Sequence, residues 1–254
     1  MSLQPVAKSL VEVLTYLDNL LRVAGLDESS NGLIVGGRPT VGKVGLAVNC
    51  SFQVIEEAAR RGCDLLITHH AARPHIELHL SAQKYDRLRR LGLNYYAAHE
   101  CLDLARGFGT ADALARAVQV SIQGTFSAGE GAVGVHGVTA GGFHEFAVRV
   151  GNRLGVEPRR WKNGDRFGHV AIVPGGGGRT DLMAQAQSLG CDTFLTGETS
   201  MFGMLFAKEI GLNLIVAGHQ ATETPGVMAL GARLARDLGL DVTFIPEEMV
   251  EAGG

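Results

Sequence analysis

The sequence predicts an α/β fold made of two similar three-layer α/β/α halves arising by duplication, with mostly parallel sheets. Three observations carry that expectation. Short apolar, β-branched runs alternate with stretches of helical periodicity, the pattern of a parallel sheet covered on both faces. The same alternation is written twice along the chain. Letters repeat too: Gly62-Cys63-Asp64-Leu65-Leu66-Ile67-Thr68 faces Gly190-Cys191-Asp192-Thr193-Phe194-Leu195-Thr196, and Gly92-Leu93-Asn94 faces Gly211-Leu212-Asn213. The expected division is 1–125 for the first half and 126–254 for a connecting segment plus the second half, the two intertwined.

Leu10, Val13, Leu14, Leu17, Leu20 and Leu21 recur at helical steps and predict an amphipathic first helix. Residues 44–48 form a strand, and Ser51 caps a helix bearing Val54, Ile55, Ala58 and Ala59 that ends at Gly62. A strand at 65–67 follows, then a helix with Tyr85, Leu88 and Leu91 on one side, then a strand at 94–98. The second half repeats this with strands at 170–173, 193–196 and 213–217 and helices at 181–189 and 201–210. Thr224 as N-cap with Pro225 in the first turn opens a last helix to about Asp237, before a final strand at 242–245. The segment 120–166 is irregular, with one connecting helix suggested by Phe146, Val150 and Leu154.

The chain has 254 residues, 46% of them hydrophobic and 19% charged, which is globular rather than disordered. Its 35 glycines lack a collagen period. With 23 Lys+Arg against 26 Asp+Glu and no cationic cluster longer than a pair, the charge argues against nucleic acid as main partner. Charged residues interrupt every apolar run long enough to span a bilayer, so no membrane partner is expected and the location reads as cytoplasmic. Cys50, Cys63, Cys101 and Cys191 stand singly, as reduced thiols do.

In a parallel sheet, ligands sit beyond the carboxyl ends of the strands. There the chain places His69-His70, then His99 with Asp103 four residues later, and in the second half Glu198, then His219 with Glu223 four residues later. Imidazole nitrogen and carboxylate oxygen suit zinc, iron, manganese, nickel or cobalt. His69, His70, Asp103, His219 and Glu223 exceed the needs of one tetrahedral ion, so two divalent ions are expected, the adjacent histidines diverging to different ions.

The segments Asn31-Gly32-Leu33-Ile34-Val35-Gly36, Ile67-Thr68-His69-His70, Ala98-His99-Glu100-Cys101-Leu102-Asp103, Thr196-Gly197-Glu198 and Ala217-Gly218-His219-Gln220-Ala221-Thr222-Glu223 span nearly the whole chain. In this order they resemble the GTP cyclohydrolase 1 type 2 homologs, the Nif-three-like dinuclear-metal family. The resemblance implies His69, His70, Asp103, His219 and Glu223 as metal ligands, His99 close to the site, and a ring-shaped hexamer built from trimers. It also implies a member without the inserted central domain. Ala71-Ala72, Glu100-Cys101 and the Thr199-Ser200-Met201-Phe202 segment depart from the usual family pattern, and none is a proposed ligand.

The function expected is a metal-dependent hydrolase acting on a nucleotide or phosphate-containing small molecule, with His99 or Glu198 shuttling protons. The competing reading is a non-catalytic metal-binding scaffold or metal-handling protein that forms a hexameric ring. Cys101 would share a side with His99 and Asp103 if its segment were extended, although a packing thiol is its plainer role. The Gly175 to Gly178 turn joins a strand to a helix and could present backbone N–H groups to a phosphate, but it lacks the Gly-Lys-Ser/Thr ending of a P-loop, and a plain turn is the favoured reading. His75 and His79 read as loop residues facing solvent or the substrate rim, and Ser200 and Thr224 as helix caps.

Overall fold

The computed structural model describes residues 7–27, 29–127 and 134–247. In chain order the elements begin with β1 (Lys8–Ser9), α1 (Leu10–Leu21), β2 (Asn31–Val35), β3 (Thr40–Val41), β4 (Lys43–Asn49), α2 (Phe52–Arg60), β5 (Leu65–His70), α3 (Pro74–Glu77), α4 (His79–Arg90), β6 (Asn94–Ala98) and α5 (Glu100–Asp103). Then come α6 (Thr110–Ala117), β7 (Ser121–Phe126), β8 (Gly134–Val138), α7 (Phe143–Leu154), β9 (Arg159–Trp161), β10 (His169–Val173), α8 (Thr180–Ser188), β11 (Thr193–Thr196), α9 (Met201–Glu209), β12 (Asn213–Val216), α10 (His219–Leu238) and β13 (Asp241–Phe244). The fold is mixed α/β, with parallel and antiparallel pairing in both large sheets. None of the helices among the described residues is long and apolar enough to cross a membrane.

The chain groups into two compact units: residues up to Leu102 with those from Val227 onward, and Asp103–Gly226. This differs from a cut at 125/126, because β13 returns to pair in parallel with β4. In the first unit the five-stranded sheet runs β13-β4-β5-β6-β2, with only β2 antiparallel to its neighbour. Helix α1 starts where Ser9 Oγ accepts the Glu12 N–H at 3.1 Å, and it buries Val13, Leu17 and Leu21. Ser51 caps α2 in the same way, accepting the Val54 N–H at 3.2 Å. The expected loop around Pro74 is instead two helices: Pro74 opens α3, where its missing N–H costs nothing, and α4 follows directly.

In the second unit the six-stranded sheet runs β7-β8-β10-β11-β12-β9, with β10, β11 and β12 parallel. The irregular segment of the sequence contains three antiparallel strands, β7 and β9 at the sheet's two edges and β8 inside β7, as well as the expected helix. Strand β7 is mostly exposed and carries a register break, and β9 has only three residues, so neither displays a two-residue hydrophobic alternation. Helix α7 buries Phe146 and Val150 as its spacing foretold.

The repeated letters make matching hydrogen bonds. Asp64 Oδ2 accepts from the N–H groups of Gly42 (2.9 Å) and Lys43 (3.1 Å), and the Asp192 carboxylate accepts from those of Gly168 (3.3 Å) and His169 (3.1 Å). Asn94 Oδ1 accepts the Gly37 N–H at 2.6 Å, and Asn213 Oδ1 accepts those of Asn163 (2.9 Å) and Gly164 (3.0 Å). Each Asp therefore binds the start of one parallel strand to the start of the next, at roughly 1.5–3 kcal/mol per charge-assisted bond.

The last helix begins at His219, not at Thr224, and contains Pro225 within it. Thr224 Oγ1 turns back to donate to the Gln220 carbonyl at 2.8 Å, a bond made inside a helix rather than at its cap. Toward its C-terminal end, Tyr16 Oη donates to Asp237 Oδ2 at 2.5 Å, tying α1 to α10. The Arg236 guanidinium, and then Tyr16, hold the Asp237 carboxyl at about 2, below the ordinary 3.8. A depressed carboxyl contributes stability above its unfolded pKa and loses it as pH falls through the folded one. Asp237→Asn is thus expected to show a shallower fall in melting temperature than the parent between about pH 4 and pH 2, measured by circular dichroism, with a small difference because the group is exposed.

Candidate metal centre

Three histidines meet at one edge of the first sheet. Strands β4 and β5 stay paired up to Asn49 opposite His70, whereas β5 and β6 pair only as far as Thr68 opposite Ala97. Past that point Thr68 Oγ1 donates to the carbonyl of His70 at 2.8 Å. The two rings do not diverge as in an ideal strand: their centroids lie 4.7 Å apart. The His99 ring lies 5.0 Å from that of His69 and 5.6 Å from that of His70. One ligand atom from each of the three lies within 4.8 Å of the others.

Their hydrogen bonds define which nitrogen carries the proton. His69 is buried, and its Nδ1 lies 2.9 Å from the carbonyl oxygen of Ala98, which only accepts, so Nδ1 bears the hydrogen and Nε2 the lone pair. His70 Nδ1 lies 2.8 Å from Asn49 Oδ1, while Asn49 Nδ2 donates to Glu247 Oε2 at 2.6 Å. The carboxylate thus orients the amide so that its oxygen receives the His70 proton. Both imidazoles are held in the form that offers Nε2 to a cation.

In the second unit, His219 opens α10 and Glu223 follows one turn later on the same face. His219 Nε2 lies 3.0 Å from Glu223 Oε1, and its Nδ1 lies 3.1 Å from Glu198 Oε2. Glu223 first, and Glu198 after it, raise the His219 imidazole to about 9 against the opposing effect of burial. Gly175, at φ +59°, is what leaves room: a Cβ there would come within 2.0 Å of Glu223 Oε1 and 2.9 Å of His219 Nε2. Asp103 ends α5 and accepts a hydrogen bond from Thr110 Oγ1 at 2.5 Å.

Several sequence readings change in this light. Cys101 lies in the helical turn α5, not in an extended segment, so a two-residue spacing no longer sets it on the same side as Asp103. It is buried, and its N–H donates to Asn31 Oδ1 at 3.0 Å. Glu198, expected to shuttle protons, sits against His219 Nδ1. His75 and His79 are exposed helix residues, and Ser200 caps α9 through the Gly203 N–H at 3.1 Å. The residues the sequence reading passed over are Asn49 and Thr110, and Gly175, read as part of a plain turn, is instead what makes room for the Glu223 carboxylate. Asn49 ends its strand opposite a candidate ligand, a place set by the pairing of β4 with β5 and by no local pattern around Asn49.

The His69 geometry makes a prediction independent of any ion. In metal-free protein above neutral pH, nitrogen NMR should show His69 as the Nδ1–H tautomer. An Nε2–H form would mean that the bond to the Ala98 carbonyl is not made.

The chain is similar to known proteins along most of its length. A family model, Duf34/NIF3 (NGG1p interacting factor 3), matches residues 8–249. A Deinococcus radiodurans protein named GTP cyclohydrolase 1 type 2 homolog is 32% identical over 241 residues, covering 92% of this chain and 91% of its own length. An Escherichia coli protein of the same name is 34% identical over 234 residues, covering 86% and 90%. Among solved structures, the protein ybgI, described as of unknown function, superposes with a TM-score of 0.84 at 29% identity, covering 94% of this chain and 98% of its own. A crystal structure from Thermus thermophilus gives 0.80 at 31% identity, covering 95% and 99%. A match along almost the entire chain at these identities settles the membership: the chain belongs to the Duf34/NIF3 family.

Proposed function

We propose that this chain binds two divalent transition-metal ions through His69, His70, Asp103, His219 and Glu223 and hydrolyses a nucleotide or other phosphate-containing small molecule. The observation that carries the reading is the histidine group on the first sheet, with Nδ1 of His69 and His70 committed to oxygen acceptors. Metal-ligating histidines are oriented by such bonds. In the second unit a carboxylate–imidazole–carboxylate line of Glu198, His219 and Glu223 is seated over Gly175. Its donor set fits the same class of ion: Nε2 and Oε1 already converge, and Glu198 holds Nδ1. Zinc, iron, manganese, nickel and cobalt all accept such a mixture of nitrogen and oxygen.

Divalent ions at such a site supply Lewis acidity and a lowered water pKa. The chain's own contribution is positioning and proton transfer. His99, beside both ligand histidines, takes the proton from the attacking water. The water oxygen then bonds to the electrophilic centre, the bond to the leaving group breaks with its electron pair, and the leaving group takes the proton back from His99. Glu198 is a positioning residue, holding His219 through Nδ1. A pocket of about 590 Å³, lined by residues that include Gly176, Gly178, Thr180, Glu198 and Arg179, the last paired with Asp181 on the same wall, supports the phosphate reading. It joins a guanidinium and the N-terminus of α8 to a carboxylate of the candidate site, and its volume suits a nucleotide. The matching corners at Asp64 and Asp192 support an origin of the two halves by duplication, and a ring-shaped hexamer in the cytoplasm belongs to the same reading.

The test is turnover. Protein reconstituted with each of the five metals is screened against nucleotides and phosphoesters. Hydrolysis with at least one metal is expected, with His99→Gln lowering kcat by ~10²–10⁴-fold at unchanged metal content. Bound metal without turnover on any substrate would leave the scaffold reading. A parallel loss of metal in His99→Gln would make His99 a ligand instead.

A further inference from the structure

Outside that site, two imidazoles and a thiol converge in the second unit. His136 lies in β8 and His169 opens β10. Because the antiparallel register sets His136 opposite Ala171, His169 is its diagonal neighbour on the same face. His136 Nδ1 lies 3.0 Å from His169 Nε2, and the ring centroids are 5.2 Å apart. Cys191, buried just before β11, completes the group: one ligand atom from each residue lies within 4.8 Å of the others.

We propose that His136, His169 and Cys191 form a separate mononuclear site for a thiophilic transition ion of the zinc class. The spacing suits it, since zinc–nitrogen bonds of about 2.05 Å in a tetrahedron separate two ligand nitrogens by ~3.3 Å. Three protein ligands leave a fourth position for water or another small donor.

The surroundings are built around the imidazoles. A Cβ at Gly124 would come within 2.5 Å of His136 Nε2, so glycine at the β7 register break makes space for that ring. The Asp192 carboxylate accepts the His169 N–H at 3.1 Å, and the Asp192 N–H donates to the His169 carbonyl at 2.9 Å, holding the Cys191 corner against the start of β10. Burial, and then the Asp192 charge, push the Cys191 thiol up to about 12, while burial and then His169 lower His136. On binding, the ion replaces the thiol proton, which leaves to solvent, and Asp192 stands beside the added positive charge.

The first unit provides an internal comparison. Cys63 and Asp64 form the same corner, with Lys43 where the second unit has His169. The corner is thus complete without imidazole, and the two histidines are additional to what it needs.

Cobalt(II) tests the proposal, because a thiolate ligand gives a near-ultraviolet charge-transfer band and the dinuclear set proposed above contains no thiolate. Titrating the full chain with cobalt(II) should produce that band, and zinc should displace it. The band should vanish in Cys191→Ser and in His136→Gln, and persist in Cys63→Ser, Cys101→Ser and His69→Ala. Absence of the band in the parent, or its survival in Cys191→Ser, would overturn the proposal. Should Cys191→Ser fail to fold, His136→Gln and Gly124→Ala carry the test, and an undiminished band in both overturns it equally. His69→Ala, which strikes only the dinuclear set, separates failure of that reading from failure of this one.

Discussion

The parallel register of β4, β5 and β6 is the constraint on which the candidate centre depends. It ends Asn49, His70 and Ala98 at one edge, and each then has a defined task. The Ala98 carbonyl takes the His69 proton, the Asn49 amide takes that of His70, and His99 follows directly from β6. A slip of one residue between β4 and β5 would put Val48 opposite His70 and remove the amide that holds it. The tautomers of two histidines are thus consequences of strand pairing, transmitted through two hydrogen bonds.

A different device operates in the second unit. There the candidate ligands sit on a helix, and the i, i+4 spacing of His219 and Glu223 does what strand register does in the first. The space is provided by a glycine in the left-handed conformation at the end of a neighbouring strand: Gly175 follows β10, and any side chain on it would occupy the place of the Glu223 carboxylate. Both units rest on a half-buried Asp that joins consecutive strand starts, at Asp64 and Asp192. That corner lies at the opposite ends of the strands from the His and Glu groups, so the sheet can be anchored at one edge and varied at the other.

Strand-forming runs such as 44–48 and helices with clean apolar periodicity were legible in the sequence because each is specified by local chemistry. His69, His70 and His219 were legible as candidates because they immediately follow such runs. Pro225 misled: its preference for a first turn outweighed the weaker sign that a helix begins at His219, although a helix tolerates proline where other contacts hold it. The edge strands β7 and β9 were invisible, being exposed or too short to alternate. Asn49 was passed over and Gly175 read as a plain turn because their roles belong to partners distant in sequence, an amide to His70 and an empty space to Glu223. The group of His136, His169 and Cys191 was hidden for the same reason, since only the pairing of β8 with β10 brings its two imidazoles together.

The central claim is that the donor groups of this chain hold a pair of ions. The most direct measurement is anomalous X-ray diffraction from crystals of protein loaded with manganese or zinc, collected at the metal absorption edge. The account predicts two neighbouring anomalous peaks, contacted by His69, His70, Asp103, His219 and Glu223. A map with no peak beside these residues, or with a single ion contacted by only one of the two groups, would contradict it.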